Sequence, residues 1–228
     1  MKKQHKIFVF SRKDKVASSS TMSFVTTGKK YSQKQSFIVP NMEEFVRDVS
    51  SHGNIGAIKN RILRLNLLQI MKLCWFNKTK FFKLLKKDFS TAVGLLIQIE
   101  LLQVAKYQPT MIILSDQVTD LAVALDNEPI LRNFNTFISD NFKCNRAVMT
   151  NNLPTVAHKL STWKIGINYF VTPINFYGYE MNPDKSTVEK YLQVVNPDSL
   201  IAILPEASPK EISYLDKLNI TKALINWF

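Results

Sequence analysis

The stretch NRAVMTNNLPTVAHKLSTWKIGINYFVTP, residues 145–173, has the pattern of a strand, a polar turn, a helix and a second strand. Residues 145–150 and 167–173 contain short apolar runs, which are typical of strands buried on both faces. Residues 153–163 have apolar positions at helical spacing, with Pro154 in the first turn, where no backbone donor is needed. The stretch therefore predicts a βαβ unit with parallel strands.

The same alternation continues through the C-terminal part of the chain. Three further apolar runs predict strands at residues 111–115, 199–204 and 222–228, and helical patterns cover residues 90–107, 128–142, 184–195 and 208–219. Such an order fits either a doubly wound sheet or the second half of a (β/α)8 barrel. The sequence contains no GxGxxG or GxxxxGK[ST] motif and only 6 glycines, which disfavours a Rossmann or P-loop nucleotide site.

The first 88 residues have a weaker pattern. Residues 6–11 and 36–39 predict strands, and residues 61–68 fit either a strand or a helix. A helix is predicted after Pro40, with Asn41 as its N-cap. Residues 1–35 are basic and rich in Ser and Lys, and we expect them to be loosely ordered, with a loop from residue 18 onward. The length of 228 residues suits a single domain over residues 1–228.

Positive charge is concentrated in the N-terminal part of the chain. Residues 1–88 carry 19 Lys and Arg against 5 Asp and Glu, and residues 89–228 carry 11 against 13, which together give the net charge of +12. Such asymmetry suggests an anionic partner. The segment 57–88 mixes basic and aromatic residues, which suits single-stranded nucleic acid or a membrane surface. For nucleic acid, the candidate contacts are Lys80, Lys83, Lys86 and Lys87.

The cysteine content indicates a reducing compartment. Cys74 and Cys144 form no CxxC motif and have no metal-ligand spacing, so we expect free thiols, a cytoplasmic location and no metal site. No stretch is predicted to span a membrane, because the most apolar run, AVGLLIQIELLQVA, is only one core helix long and contains Glu100.

The C-terminal order resembles the aldo/keto reductase-like TIM barrels over about residues 78–228. The segments FFKLLKKDFSTAVGLLIQIELLQVAKYQPTMIILSD and RAVMTNNLPTVAHKL resemble the family's long helix and strand, and its next strand and helix. The resemblance implies that Thr150 and Asn151 match a Ser-Asn pair that contacts the nicotinamide, with NADPH as the implied cofactor. The family's strand-end histidine is replaced by Ser115 or Asp116, and its catalytic tyrosine is not recognisable. An oxidoreductase-like activity is therefore uncertain from sequence.

These patterns together predict an α/β fold of the (β/α)8 TIM-barrel type, shortened or irregular in its N-terminal part. In a barrel, the carboxyl ends of the strands meet at one mouth. Asp116 and Glu206 are the carboxylates predicted there, and such a pair can act as acid and base. The predicted substrate contacts are Ser115, Asn175 and Tyr177.

Two alternatives apply to the polar segments at this mouth. Asn151 or Asn152 also suits the N-cap of the following helix, without any ligand. The aromatic loop that includes Tyr177 fits either stacking on a planar ligand or a lid packed on the barrel.

Three functions are compatible with the sequence. The chain can bind a small polar ligand at the mouth, serve as a catalytically inactive scaffold or interaction protein, or bind nucleic acid through residues 57–88.

Overall fold

The computed structural model describes residues 6–16, 19–24, 35–77, 89–206 and 208–225. The strands of the described residues are β1 (Lys6–Val16), β2 (Ser19–Phe24), β3 (Gln35–Val39), β4 (Met111–Leu114), β5 (Asn145–Met149), β6 (Tyr169–Pro173), β7 (Leu200–Leu204) and β8 (Lys222–Ile225). The α-helices of the described residues are α1 (Met42–Ile62), α2 (Leu67–Asn77), α3 (Phe89–Val104), α4 (Asp116–Ala124), α5 (Glu128–Asn141), α6 (Leu153–Thr162), α7 (Lys185–Leu192) and α8 (Pro209–Lys217).

Six consecutive strands, β3–β8, form a curled parallel sheet with helices between successive strands. The register pairs Ile113 with Ala147 across β4 and β5, and Val171 with Ile201 across β6 and β7. The strands follow one another in chain order, and β1 pairs with β8 in parallel to close the ring. The βαβ units predicted from the C-terminal sequence are therefore confirmed.

The prediction of a (β/α)8 TIM-barrel-like fold is wrong. Such a barrel needs eight parallel strands, each followed by a helix. Here β2 runs antiparallel to both β1 and β3, and no helix separates these three strands among the described residues. Residues 19–24, which we predicted as loop, form β2. Of the two alternatives for residues 61–68, the helical one is nearer to the structure, in which they form the end of α1, a turn and the start of α2.

Burial on both faces explains the continuous apolar runs of the parallel strands. One set of side chains packs together on one side of the sheet, including Ile113, Met149 and Val171. The alternate residues, such as Ile112 and Val148, pack in a second core with the helices. Because both faces are covered by apolar groups, these strands have no polar alternation.

Polar caps begin several of the helices, as the sequence predicts. The side chain of Asn41 accepts a hydrogen bond from the Glu44 backbone N–H at the start of α1, and Asn152 caps α6 in the same way. Helix α4, which we did not predict, begins directly after β4. None of the helices in the described ranges has the length and apolarity needed to span a bilayer.

A buried ion pair joins α1, α3 and the end of β3. The Arg61 guanidinium donates to Glu100 Oε1 at 3.0 Å, and neither side chain is exposed to solvent. Glu100 Oε2 accepts the Asn41 backbone N–H at 2.8 Å. Asp48 lies 3.5 Å from the same guanidinium, and the Phe45 ring lies 5.5 Å below it. Arg61 is therefore unavailable to nucleic acid, although it lies in the basic segment 57–88.

We expect Arg61→Met to lower the free energy of unfolding by about 3–5 kcal/mol, because Glu100 would keep a buried charge without its partner. The double variant Arg61→Met with Glu100→Gln should recover part of this loss. The matched control is Arg64→Met, which breaks the half-exposed 2.8 Å pair with Glu44 and should cost less than about 1 kcal/mol. Urea unfolding followed by circular dichroism measures all three, and equal losses for Arg61→Met and Arg64→Met would contradict the prediction.

Candidate binding site at the carboxyl edge of the sheet

The turn after β5 is held by Asp120 of α4. Thr150 Oγ1 donates to Asp120 Oδ1 at 2.5 Å, and the Asn151 backbone N–H donates to Asp120 Oδ2 at 3.1 Å. Burial raises the pKa of Asp120, and the nearby Asp116 charge adds to this rise, while the two hydrogen bonds oppose it. Thr150 is fully buried, so its hydroxyl serves this internal bond. The structure therefore gives Thr150 a positioning role.

The two asparagines of this turn have different roles. Asn152 Oδ1 accepts the Thr155 backbone N–H, as expected of an N-cap, and the Asn152 N–H donates to Thr150 Oγ1 at 2.9 Å. Asn151 is half-buried, and its side-chain amide lies 3.5 Å from Asp116 Oδ2. This contact is at the limit of hydrogen bonding. At this turn, Asn151 and Asp116 are therefore the two side chains that can still form a strong hydrogen bond to a ligand.

The loop after β6 is closed by Asn175. Its side chain accepts the Tyr179 backbone N–H and donates to the Tyr179 carbonyl, both at 2.8 Å. Gly178 lies between them with φ of +75°, a conformation that suits glycine. Because Asn175 is fully buried, it shapes the loop instead of facing a ligand. Tyr177 is 61% exposed.

Glu211 of α8 anchors this aromatic loop from below. Its Oε2 accepts the Phe176 backbone N–H at 2.7 Å, and its Oε1 is buried without a hydrogen-bond partner in the described part of the chain. Burial raises the pKa of Glu211; the charge of Glu206 raises it further, whereas the Phe176 N–H and Lys185 lower it. Glu211 lies in the first turn of α8, and its carboxylate bonds to the neighbouring loop.

Lys185 closes the other side of the loop. Its ammonium donates to the Phe176 carbonyl and lies 5.1 Å from the Phe176 ring centroid and 4.8 Å from that of Tyr214. The Tyr214 hydroxyl donates to Glu189 at 2.6 Å, and burial together with this bond raises the pKa of Tyr214. These contacts hold Phe176 in place, so that the neighbouring Tyr177 projects from a fixed loop.

A backbone hydrogen bond joins the turn after β5 to the loop after β6. The Asn182 N–H, in the loop after β6, donates to the Asn151 carbonyl at 3.1 Å. The four segments that follow β4, β5, β6 and β7, taken as far as residues 120, 153, 185 and 211, are together acidic in sequence. They contain two lysines, Lys185 and Lys210, against six acidic residues: Asp116, Asp120, Glu180, Asp184, Glu206 and Glu211. The edge is therefore acidic in a chain whose net charge is +12.

The predicted site residues have different environments at this edge. Asp116 and Asn151 are half-buried neighbours, Glu206 and Tyr177 are exposed, and Ser115 is buried with no partner for its hydroxyl among the described residues. Thr150 and Asn175 are used internally, as described above. Lys80, Lys83, Lys86 and Lys87 lie outside the described residues. Within the described ranges, no group of three or more His, Cys, Asp or Glu side chains could hold a metal ion.

Sequence reasoning missed Asp120, Glu211 and Lys185 as parts of this site. Asp120 was missed because α4 was not predicted, although Asp116 and Asp120 are four residues apart and so lie on one helix face. Glu211 and Lys185 contact the loop across distances in sequence that no local pattern indicates.

No family model, curated protein or solved structure matches this chain. The resemblance to aldo/keto reductases stays a prediction, and these comparisons lend it no support.

The raised pKa of Glu211 predicts a pH dependence of stability. A carboxyl with a raised pKa in the folded state stabilises the fold below its ordinary pKa of 4.5, and this contribution is lost as the pH rises through the folded value. We therefore expect the free energy of unfolding to fall as the pH rises from about 4.5, and Glu211→Gln to reduce this fall. Asp120 should account for part of the remainder.

Urea unfolding between pH 4.5 and about pH 8 tests this. The matched control is Glu180→Gln, which removes an exposed carboxylate from the same loop region and should leave the pH dependence as in the wild type. The same pH dependence in Glu211→Gln as in the control would contradict the assignment.

Proposed function

We propose that this chain binds a small polar ligand with a positive charge at the carboxyl edge of the parallel sheet. The observation that carries the proposal is the acidic edge itself, in which half-buried Asp116 lies near half-buried Asp120 and the Asn151 amide. In α/β sheets, ligands commonly bind outside the carboxyl ends of the strands. The candidate contacts are Asp116, Asn151, Glu206 and Tyr177.

The charge of the edge supports a cationic ligand over an anionic one. Helix N-termini point to this edge, and their partial positive charge usually favours anions such as phosphate. Here Asp116 lies in the first turn of α4 and Glu211 in that of α8, so carboxylates already neutralise these helix ends. A ligand with an ammonium group would gain attraction from the remaining charge, whereas a phosphate would be repelled.

The aromatic loop supplies an apolar surface next to these carboxylates. Phe176 is 43% exposed, and its ring packs edge-on against that of Tyr177 at 5.3 Å. The Lys185 ammonium already lies over the Phe176 ring, whereas the exposed ring of Tyr177 can attract a cation as well as apolar groups. This combination supports a ligand that has both an ammonium and a short carbon chain or ring.

The same features oppose the nicotinamide cofactor that the family resemblance implies. Of the two predicted cofactor contacts, Thr150 is buried and bonded to Asp120, and the side chain of Asn151 lies beside the Asp116 carboxylate. A dinucleotide also carries phosphates that need basic or amide donors, and the edge is acidic. The proposal therefore concerns binding, and it assigns no reaction to Asp116 and Glu206, which we predicted as catalytic residues.

The test is a thermal-shift titration of the full chain with putrescine, arginine and choline, and with NADPH as the competing ligand. A ligand that binds only the folded state raises the melting temperature by an amount that grows with the ratio of its concentration to its Kd. We expect a saturable shift with at least one amine and none with NADPH. Asp116→Asn and Glu206→Gln should each weaken amine binding by about tenfold, since each removes one charge contact worth about 1.4 kcal/mol.

The matched control is Asp198→Asn, which removes an exposed carboxylate next to the amino end of β7. It should bind amines as the wild type does. A saturable NADPH shift that both Asp116→Asn and Glu206→Gln preserve would contradict the proposal and favour a reductase-like site. Equal weakening in all three variants would show that only overall charge matters.

A further inference from the structure

Helix α2 has apolar side chains on both of its faces. On the inner face, Leu73 is buried, and Gln69 donates its side-chain amide to the Leu102 carbonyl of α3 at 2.6 Å. The outer face of a surface helix is normally polar. Here, Leu67, Leu68 and Met71 are 74%, 70% and 61% exposed. A helix that is apolar all round is expected to be covered on both sides.

The exposed apolar residues form a continuous row. Leu63, in the turn before α2, is 70% exposed, and Trp75 is 71% exposed near the end of the helix. Leu67, Met71 and Trp75 follow one another at intervals of four residues, which places them on one helix face. We call Leu63, Leu67, Leu68, Met71 and Trp75 the α2 stripe. Single exposed apolar residues are ordinary, but a contiguous group marks an interaction surface.

Cations surround the α2 stripe. Lys59, Arg64 and Lys72 are exposed in the part of the chain that the structure describes. In the sequence, residues 57–87 contain no Asp or Glu, and the basic residues there are Lys59, Arg61, Arg64, Lys72, Lys78, Lys80, Lys83, Lys86 and Lys87. Of these, Arg61 is buried in its ion pair, and Arg64 is exposed but paired with Glu44. An apolar row with basic neighbours is complementary to a surface that is apolar inside and anionic outside.

We infer that the α2 stripe docks this protein on an anionic membrane surface. A helix that lies in the interface buries Leu, Met and Trp side chains at the boundary of the acyl chains, while Lys and Arg contact the anionic headgroups. Lysines outnumber arginines in this segment, which suits diffuse attraction to headgroups more than paired phosphate contacts. The stripe shares no residue with the candidate site at the carboxyl edge, and the inference does not depend on the proposed ligand.

Two other occupants fit the stripe less well. Single-stranded nucleic acid is bound mainly by stacking on aromatic rings, whereas four of the five stripe residues are aliphatic or Met. A second copy of this chain would bring the same cations, including Lys72, close to their equivalents, and like charges oppose such a contact.

Flotation of the full chain with lipid vesicles tests the inference. We expect binding to vesicles of phosphatidylcholine with phosphatidylglycerol, weak binding to phosphatidylcholine alone, and loss of binding as salt rises. Leu68→Gln with Met71→Gln should weaken the binding at least tenfold, because two apolar side chains that enter the bilayer in the wild type would be replaced by polar ones. Both residues are exposed, so the double variant should unfold at the same urea concentration as the wild type.

The matched control is Leu125→Gln with Val194→Gln. These residues are 57% and 78% exposed outside the stripe, so this variant should bind vesicles like the wild type. Wild-type binding by Leu68→Gln with Met71→Gln would overturn the inference. So would a stripe-dependent dimer seen by light scattering without lipid, or stripe-dependent binding of a single-stranded oligonucleotide by a chain that ignores vesicles.

A fluorescent label on Cys74 reports on the stripe directly. Cys74 is exposed, and its position seven residues after Leu67 places it on the stripe face. The half-buried Cys144 should react slowly at pH 7, because burial raises the pKa of its thiol to about 11. We expect a polarity-sensitive maleimide dye on Cys74 to shift to shorter wavelength with anionic vesicles. An unchanged spectrum under conditions where the protein floats would overturn the inference.

Discussion

The buried pair of Arg61 and Glu100 is the interaction on which the N-terminal half of the described structure depends. Taking two charges out of water is costly, and the cost is offset only when both find partners with good geometry. Glu100 meets this condition with one oxygen on Arg61 and the other on the Asn41 backbone N–H. One carboxylate therefore fixes the end of β3, the last turns of α1 and the middle of α3 relative to one another. Helix α2 connects the last two along the chain, so its outer face is set by the same constraint.

Acidic and basic residues are concentrated in different segments of this fold, which the net charge of +12 does not show. The loops after β4, β5, β6 and β7 carry an acidic excess, whereas the segment that contains α2 is basic. The two regions are built from different residues, so each can attract a partner of the opposite charge. A cationic ligand and an anionic surface are therefore compatible on one chain, and neither requires the other.

The alternating strands and helices of the C-terminal part could be predicted from sequence. The way in which β1 and β2 complete the ring of strands could not. Apolar runs such as residues 199–204, together with the caps Asn41 and Asn152, depend on local chemistry, and the structure has them as predicted. The direction of β2 depends on pairing with β1 and β3, which leaves no periodic signal in so short a strand. The family resemblance favoured a barrel in which all strands are parallel. It gave no indication of the antiparallel hairpin that β1 and β2 form.

In the candidate site too, some features could be predicted from the local sequence, and others depend on contacts between distant residues. Polar residues at the strand ends were predictable because parallel strands end at one edge, but burial decides which of them remain for a ligand. Thr150 and Asn175 satisfy their polar groups inside the protein and so fix the turn and the loop. Among the described residues, the hydrogen-bond contact found for the Asp116 side chain is the long one with Asn151, and Asp116 is half-buried. Rigid internal bonds beneath partly exposed polar groups are the arrangement that lets a site bind without first ordering itself. For the proposed site, this arrangement means that Thr150 and Asn175 would hold the backbone in place beneath the candidate contacts Asp116, Asn151, Glu206 and Tyr177.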